Sequence, residues 1–567
     1  MSVIKASFLF LCMLFAHHVS GNAFSLKWSA SVDSVATLSS PMAYDLNQDG
    51  IKDIILGVGN EYDTINYILA IDGYDGHTIW KTFVDSDIYG SPLFYDINGD
   101  NIPEIFITGR NKGFFCLNGV DGQIIWNFSQ EISPGLFSLN YNFYQPKLIE
   151  NIYRNDSSKL LLITYGGDPN LLPHSLERKT GYLLIVSPQN GQIIVQDTMP
   201  DGKETYANPQ VFKRNGEDYF ILGTGGETDE GSLWMAKISD IHNKNFSKNA
   251  IRIDGPYEKG FVQPSLIIDF NGDSFLDFIS INLGGTITAV DGISLEKKWQ
   301  LKFEGFEIYS APTPIAISGE EGAHIVLVIS KGEFEYGYKS YQTLLIDLKD
   351  GSYQILNDSG ALYQINSGVS YKSKQGAHFI YSYNNTPDDE YYVNYLDIRL
   401  PENTERSITG PLIGNNIGST PLLQDLDNDG LAELIINYNI QDFRASSSVK
   451  IMAYSTDIPA ENIVWGNYMG ETLNNIYYPR TITPLKEYNN AHLIQVFPNP
   501  TSDQLYIQSP SKIYHAKIYH ASGNLVSSMK FDYQYSINLS TCNYPPGAYL
   551  IILQTEQDFF ISKFIKD

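Results

Sequence analysis

The sequence predicts an all-β chain: a β-propeller followed by a small Ig-like β-sandwich. Three observations carry this. Ile, Val, Tyr and Phe are dense, aromatics make up 13% of the 567 residues, and no long stretch beyond the N-terminus sustains helical periodicity. A unit of about fifty residues recurs along most of the chain, the period of a four-stranded propeller blade. Short acidic loops of one design recur inside that unit, each between two strand-like runs.

Residues 1–23 read as a signal peptide rather than fold. Lys5 supplies the positive end, Phe8 to Ala16 is an apolar run too short to span a bilayer, and Gly21 and Ala23 offer a cleavage site. With no second apolar stretch of spanning length, the mature chain is expected to be exported without a transmembrane segment. The net charge of −26 argues against nucleic acid as a partner, because phosphate binding needs clustered Lys and Arg. Cys116 and Cys542 fall in separate predicted domains, so no disulfide is expected between them.

The units open at Pro41, Pro92, Pro146, Pro209, Pro264, Pro312 and Pro421, with a proline-free unit near Gly368 between the last two. That makes eight blades. Ser25–Ala30 around Trp28 resembles a lone fourth strand that could close the ring, but Ile463-Val-Trp465 also reads as the fourth strand of the last unit. Seven blades therefore stay open.

Four units carry an acidic loop between their first two strands. The first has Asp45, Asn47, Asp49, Ile51 and Asp53 at positions 1, 3, 5, 7 and 9. The second has Asp96, Asn98, Asp100, Ile102 and Glu104. The third has Asp269, Asn271, Asp273, Phe275 and Asp277, with Ser274 where the others have Gly or Asn. The fourth has Asp425, Asp427, Asp429, Leu431 and Glu433. Side-chain oxygens at every second position plus the position-7 carbonyl suit one hard cation, so up to four structural Ca2+ sites are expected. The other four units have lost the loop.

Later in each unit comes a second pattern, A-x-D-x-x-x-G-x-x-x-W. It is complete from Ala70 to Trp80 and close to complete from Leu117 to Trp126. From Ala289 to Trp299 it has Leu295 in place of glycine. Ser187…Gly191 and Asp347…Gly351 are fainter copies, and Ala453…Trp465 has a longer turn. A tight turn followed by a strand ending in tryptophan fits packing between blades.

The acidic loops between paired strands resemble FG-GAP/VCBS repeats, as in integrin α-subunit propellers. The tryptophan segments resemble the repeats of quinoprotein-type propellers. Together these cover residues 24–470, with 471–495 as a connector. Residues 496–567 resemble the type A C-terminal sorting domain of the Bacteroidetes type IX secretion system. Val496-Phe-Pro498-Asn499-Pro500, the hairpin around Gly523, Pro545-Pro-Gly547-Ala-Tyr549 and the terminal Lys566 carry the likeness. The resemblance implies a partner in the type IX machinery, outer-membrane translocation, and release or attachment at the cell surface.

No H-E-x-x-H, G-x-S-x-G or phosphate-binding loop is present, and no catalytic or cofactor-binding residue is assigned. Gly166-Gly-Asp-Pro169 and Gly223-Thr-Gly-Gly-Glu227 are read as turns that could line a propeller mouth. The expected function is calcium-stabilised binding of a glycan or protein partner at or outside the cell. The alternative is a secreted polysaccharide lyase or hydrolase. A quinone-dependent dehydrogenase ranks third, since no cofactor signature accompanies the tryptophans.

Overall fold

The computed structural model describes residues 24–478 and 495–567, apart from 60–64, 132–133, 152, 154–157, 173–174, 176–177, 215, 274, 318–319, 334–336, 361–363, 387–389, 441–447, 472, 521–524 and 556–558. The leader at 1–23, Ser274 and most of the connector lie outside the described residues. The chain divides into two compact units, 1–479 and 480–567.

In the first unit, each sequence repeat becomes one antiparallel sheet. Every opening proline stands one or two residues before its first strand: Pro41 before Met42–Tyr44, Pro209 before Gln210–Arg214, Pro264 two before Leu266–Ile268, Pro421 before Leu422–Gln424. Proline lacks a donor and presets φ, so it fits at a strand start and not within the ladder. Eight such sheets occur among the described residues. Eight apolar clusters alternate with them, each drawn from two neighbouring sheets. One of these joins the last sheet to the first through Val449, Ile451, Leu422, Ile54 and Leu56. The sheets therefore form a closed ring of eight blades.

The ring is closed by the N-terminal strand. Phe24–Asp33 pairs antiparallel with Ser448–Pro459 and is the fourth strand of blade 8. Ile463–Trp465, the rival for that position, goes elsewhere. It joins the free edge of Val369–Ser373, the first strand of blade 7. Further on, Ile476–Tyr477 pairs in parallel with Leu266–Ile268, the first strand of blade 5. First strands of neighbouring blades touch one another, as Lys147–Glu150 touches Gln210–Arg214, so they wall the central channel. Residues 463–471 and 473–477 thus form a strap inside that channel. Ala460 bonds to Gly430 on the acidic-loop face as the strap begins. Residues 468–471 and 473–475 lie against the opposite ends of the first strands. There Asn208 donates to Tyr468 Oη at 3.3 Å, and Gln210 donates to the Asn474 carbonyl at 2.9 Å.

Tryptophan docks blade on blade. Trp28, Trp80, Trp126 and Trp299 each donate their indole N–H to a turn carbonyl of the next blade (Gly73, Gly119, Pro188 and Leu348) at 2.7–2.9 Å. Each ring also covers a glycine there: Gly76, Gly122, Gly191 or Gly351. These glycines have φ of +70° to +81°. All the turns, including the two faint copies, share one bond from the glycine N–H to the residue four earlier. Leu295 makes the same bond at φ +58°. It is tolerated because the preceding outer strand, Ile251–Tyr257, brings no tryptophan to cover it.

The second unit is a five-stranded sheet around a core of its own. Gln504–His520 shifts register between Gln508 and Ile513, which bends the sheet around Leu505, Ile507, Ile518, Ile551 and Phe564. Asn499 ties the unit's first turn to its last strand: it donates to the Lys563 carbonyl at 3.1 Å and accepts from Ile565 N–H at 2.8 Å.

Candidate functional site

Topology sorts the propeller's connections onto two faces. Turns between first and second strands, and between third and fourth, share one face. The remaining connections share the other, here called the mouth.

On the first face the four acidic loops fold alike. The position-9 carboxylate turns inward and accepts from the position-2 N–H: Asp53 from Leu46, Glu104 from Ile97, Asp277 from Phe270 and Glu433 from Leu426, at 2.8–3.1 Å. The position-7 residue donates its N–H to the position-5 carboxylate in all four, at 2.7–2.8 Å. Burial of the position-9 carboxylates disfavours their charged form, pushing Asp53 and Asp277 up to about 6 and raising Glu104 and Glu433.

The loops differ in how their acids converge. In the fourth, Asp425, Asp427 and Asp429 each offer an oxygen within 4.8 Å of the others, and Asp425 Oδ1 is buried without a hydrogen-bond partner. That donor set fits a hard cation. Lys27 Nζ, from the ring-closing strand, stands 3.2 Å from Asp427 and 3.7 Å from Glu433. In the third, Asp273 and Asp277 converge with Asp291, which the sequence pattern had placed in the tryptophan segment. The two motifs meet because their turns share a face. In the first blade likewise, Asn47 of the loop donates to Asp72 of the turn at 3.4 Å, and Asp72, Asp75 and His77 form a cluster. Among the described residues, the carboxylates of the first two loops do not converge on one another in the same way.

At the mouth, both glycine-rich segments are packed against each other's surroundings. Gly260 N–H bonds to the Gly226 carbonyl at 2.8 Å and Gly225 N–H to that of Glu204. A Cβ at Gly226 would meet the Glu204 carboxylate, and one at Gly167 would meet Tyr206 and the Tyr144 hydroxyl. Arg178 pairs with Glu204 at 2.5 Å and donates to Tyr206 Oη. Tyr144 lies between Tyr89 and Tyr206, with ring centroids 6.2 and 6.1 Å away. Tyr309 donates to Glu227 at 3.1 Å. Burial raises both Glu204 and Glu227, opposed at Glu204 chiefly by Arg178. Tyr89, Tyr206, Glu227 and Tyr309 are half-buried, so each keeps a surface open to a ligand, whereas the Arg178 and Glu204 side chains are buried, 8% and 2% exposed.

Residues 495–567 match the family described as the secretion system C-terminal sorting domain. The C-terminal unit is a type IX sorting domain. With it, the chain is exported through the type IX machinery to the cell surface or beyond, and no helix among the described residues is long and apolar enough to cross a membrane. No curated protein matches the chain. Among solved structures, a quinohemoprotein alcohol dehydrogenase from Comamonas testosteroni is 9% identical with a TM-score of 0.49, over 77% of each chain. A second such enzyme, from Pseudomonas putida HK5, is 10% identical with a TM-score of 0.47, again over 77% of each. BamB from Moraxella catarrhalis is 11% identical with a TM-score of 0.33, over 65% of this chain and 94% of its own. These likenesses carry nothing about activity.

Proposed function

We propose that the exported propeller is a calcium-stabilised capture protein that binds a glycan at its mouth. The observation that supports this reading is the mouth cluster itself. Half-buried tyrosine rings suit the apolar faces of sugar rings, Glu227 offers a charge-assisted hydrogen bond to hydroxyls, and the buried Arg178–Glu204 pair fixes Tyr206 from behind. The four acidic loops stand on the opposite face, where a cation would brace hairpins rather than touch that ligand.

The test uses the purified protein with acidic and neutral polysaccharides, with and without calcium, reading binding and chain length together. Binding that Tyr309→Ala and Tyr89→Ala weaken at least about tenfold, without change in melting temperature, supports the reading. Calcium-dependent chain shortening would make the protein a lyase or hydrolase. Absence of binding across the panel would turn the search to a protein partner.

A further inference from the structure

Blade 7 is one of the blades that lost the acidic loop, and something else stands in its place. Its first hairpin closes tightly, with Ser373 paired to Gly376 across a two-residue turn. The short turn leaves a groove of about 490 Å3 on the acidic-loop face, between this hairpin and Asp457–Pro459 of blade 8. Ser373, His378 and Asp397 all line it. His378 Nδ1 lies 2.9 Å from Asp397 Oδ1, and His378 Nε2 lies 2.9 Å from Ser373 Oγ. Asp397 is almost fully buried at 2% exposure and is held by Tyr371 Oη at 2.9 Å and Arg406 at 2.7 Å. The imidazole is clamped face to face on Tyr371, centroids 4.4 Å apart and planes 16° from parallel.

Chemistry follows from this order of contacts. A buried carboxylate already accepting from Tyr371 and Arg406 also accepts from His378 Nδ1–H, which leaves the Nε2 lone pair facing the serine hydroxyl. Gln375 N–H donates to Ser373 Oγ at 3.0 Å and fixes its position. Nucleophile, base and orienting acid are recognised by geometry rather than by chain order. Positive charge for an oxyanion is at hand in Lys374 and Arg399 on the same groove, with Arg399 held in place by Glu402 at 3.5 Å and by its bond to Gln375 Oε1 at 3.3 Å.

We propose that the blade 7 groove is a serine esterase site, with Ser373 as nucleophile, His378 as general base and Asp397 as its orienting acid, acting on small carboxylic esters. The Ser373 hydroxyl proton passes to His378 Nε2 as Oγ bonds to the acyl carbon. The ester C–O bond then breaks, and the leaving oxygen takes the proton from His378. Water next gives a proton to His378 and its oxygen to the acyl carbon. The Ser373 ester bond breaks, and the proton returns to Oγ. Ester and water become acid and alcohol, with no other reactant.

The experiment treats the whole exported protein with a fluorophosphonate probe and maps the adduct by peptide mass, and measures p-nitrophenyl acetate turnover alongside. The expected result is one adduct on Ser373, lost in His378→Gln, with turnover in Ser373→Ala down by roughly a thousandfold and melting temperatures unchanged. A folded wild-type protein that takes no label overturns the proposal, and so does a label on another serine. Turnover that survives Ser373→Ala overturns it as well. The wild-type labelling decides the matter even where a variant folds poorly. None of these readings depends on the mouth.

Discussion

Gly122 shows what one methyl group does between two blades. A Cβ there would lie 2.5 Å from the Trp80 ring, on a backbone already at φ +70°. Gly202 has nearly the same φ, +71°, with nothing within 4 Å of its Cβ. Gly122→Ala should therefore destabilise the propeller by about 3 kcal/mol and Gly202→Ala by about 1 kcal/mol, read from denaturant midpoints at unchanged slope. That the tryptophans pack between blades was legible in the sequence, but which glycine each covers was not, because that glycine belongs to the next blade's turn. The place of Leu295 was not, because its licence is a tryptophan missing from another blade. Lys147 is a second residue whose setting only the fold reveals. It is buried beneath the strap, with its ammonium on the Leu473 carbonyl and 3.4 Å from Met469 Sδ, and burial lowers it to about 7. Its folded value lies below the unfolded one, near 10.5. The unfolded chain then holds more protons between those limits, so stability rises with pH from about 7 upward. Melting temperature measured from pH 6.5 to 9 should climb, and Lys147→Met should flatten the climb and raise the value at pH 7.

At the scale of the hairpin, the third and fourth acidic loops gather like charges that a cation would neutralise. Calcium bound only by the folded chain adds about 2.7 kcal/mol per site at a hundredfold excess over Kd. A chelator should lower the melting temperature of the wild-type protein. Asp425→Asn with Asp429→Asn should lower it in calcium and shrink the chelator's effect. An unchanged melt in chelator would sink the structural-calcium reading. The loops themselves were plain in the sequence, because all their oxygens fall within nine residues. Asp291 was not seen as part of the third cluster, because it arrives from the other hairpin of the blade. The recurring aspartate of the tryptophan segment was the signal that could have found it. The mouth had no such signal. Arg178, Glu204, Tyr206 and Tyr309 sit on connections that share no spacing, and only the ring brings them together. The relay in blade 7 was hidden for a similar reason: Ser373 and His378 lie on one hairpin, but Asp397 comes from the next strand.

For the whole molecule, closure depends on two distant pieces. Deleting Phe24–Asp33 would leave Ser448–Pro459 as an open edge and strip Phe24, Trp28 and Val32 from two blade interfaces. The deleted protein should lose its cooperative melt and associate edge to edge, visible by light scattering. The repeat spacing announced the ring. It left Ile463–Trp465 as a rival for the last blade's fourth strand, because a strand ending in tryptophan looks the same whether it caps a blade's outer edge or fills the channel. That tryptophan is buried with Tyr477 among residues of blades 5 and 6. The closing contact also bears on rates. Asp33 and Ser448 meet across 415 positions, and the strap can seat only when the walls it pairs with are standing. Contacts so remote form slowly, and at a given stability a contact that forms slowly also opens slowly. The two ends therefore give the propeller a long-lived native state, one that outlasts its thermodynamic margin in the unprotected surroundings to which the sorting domain delivers it.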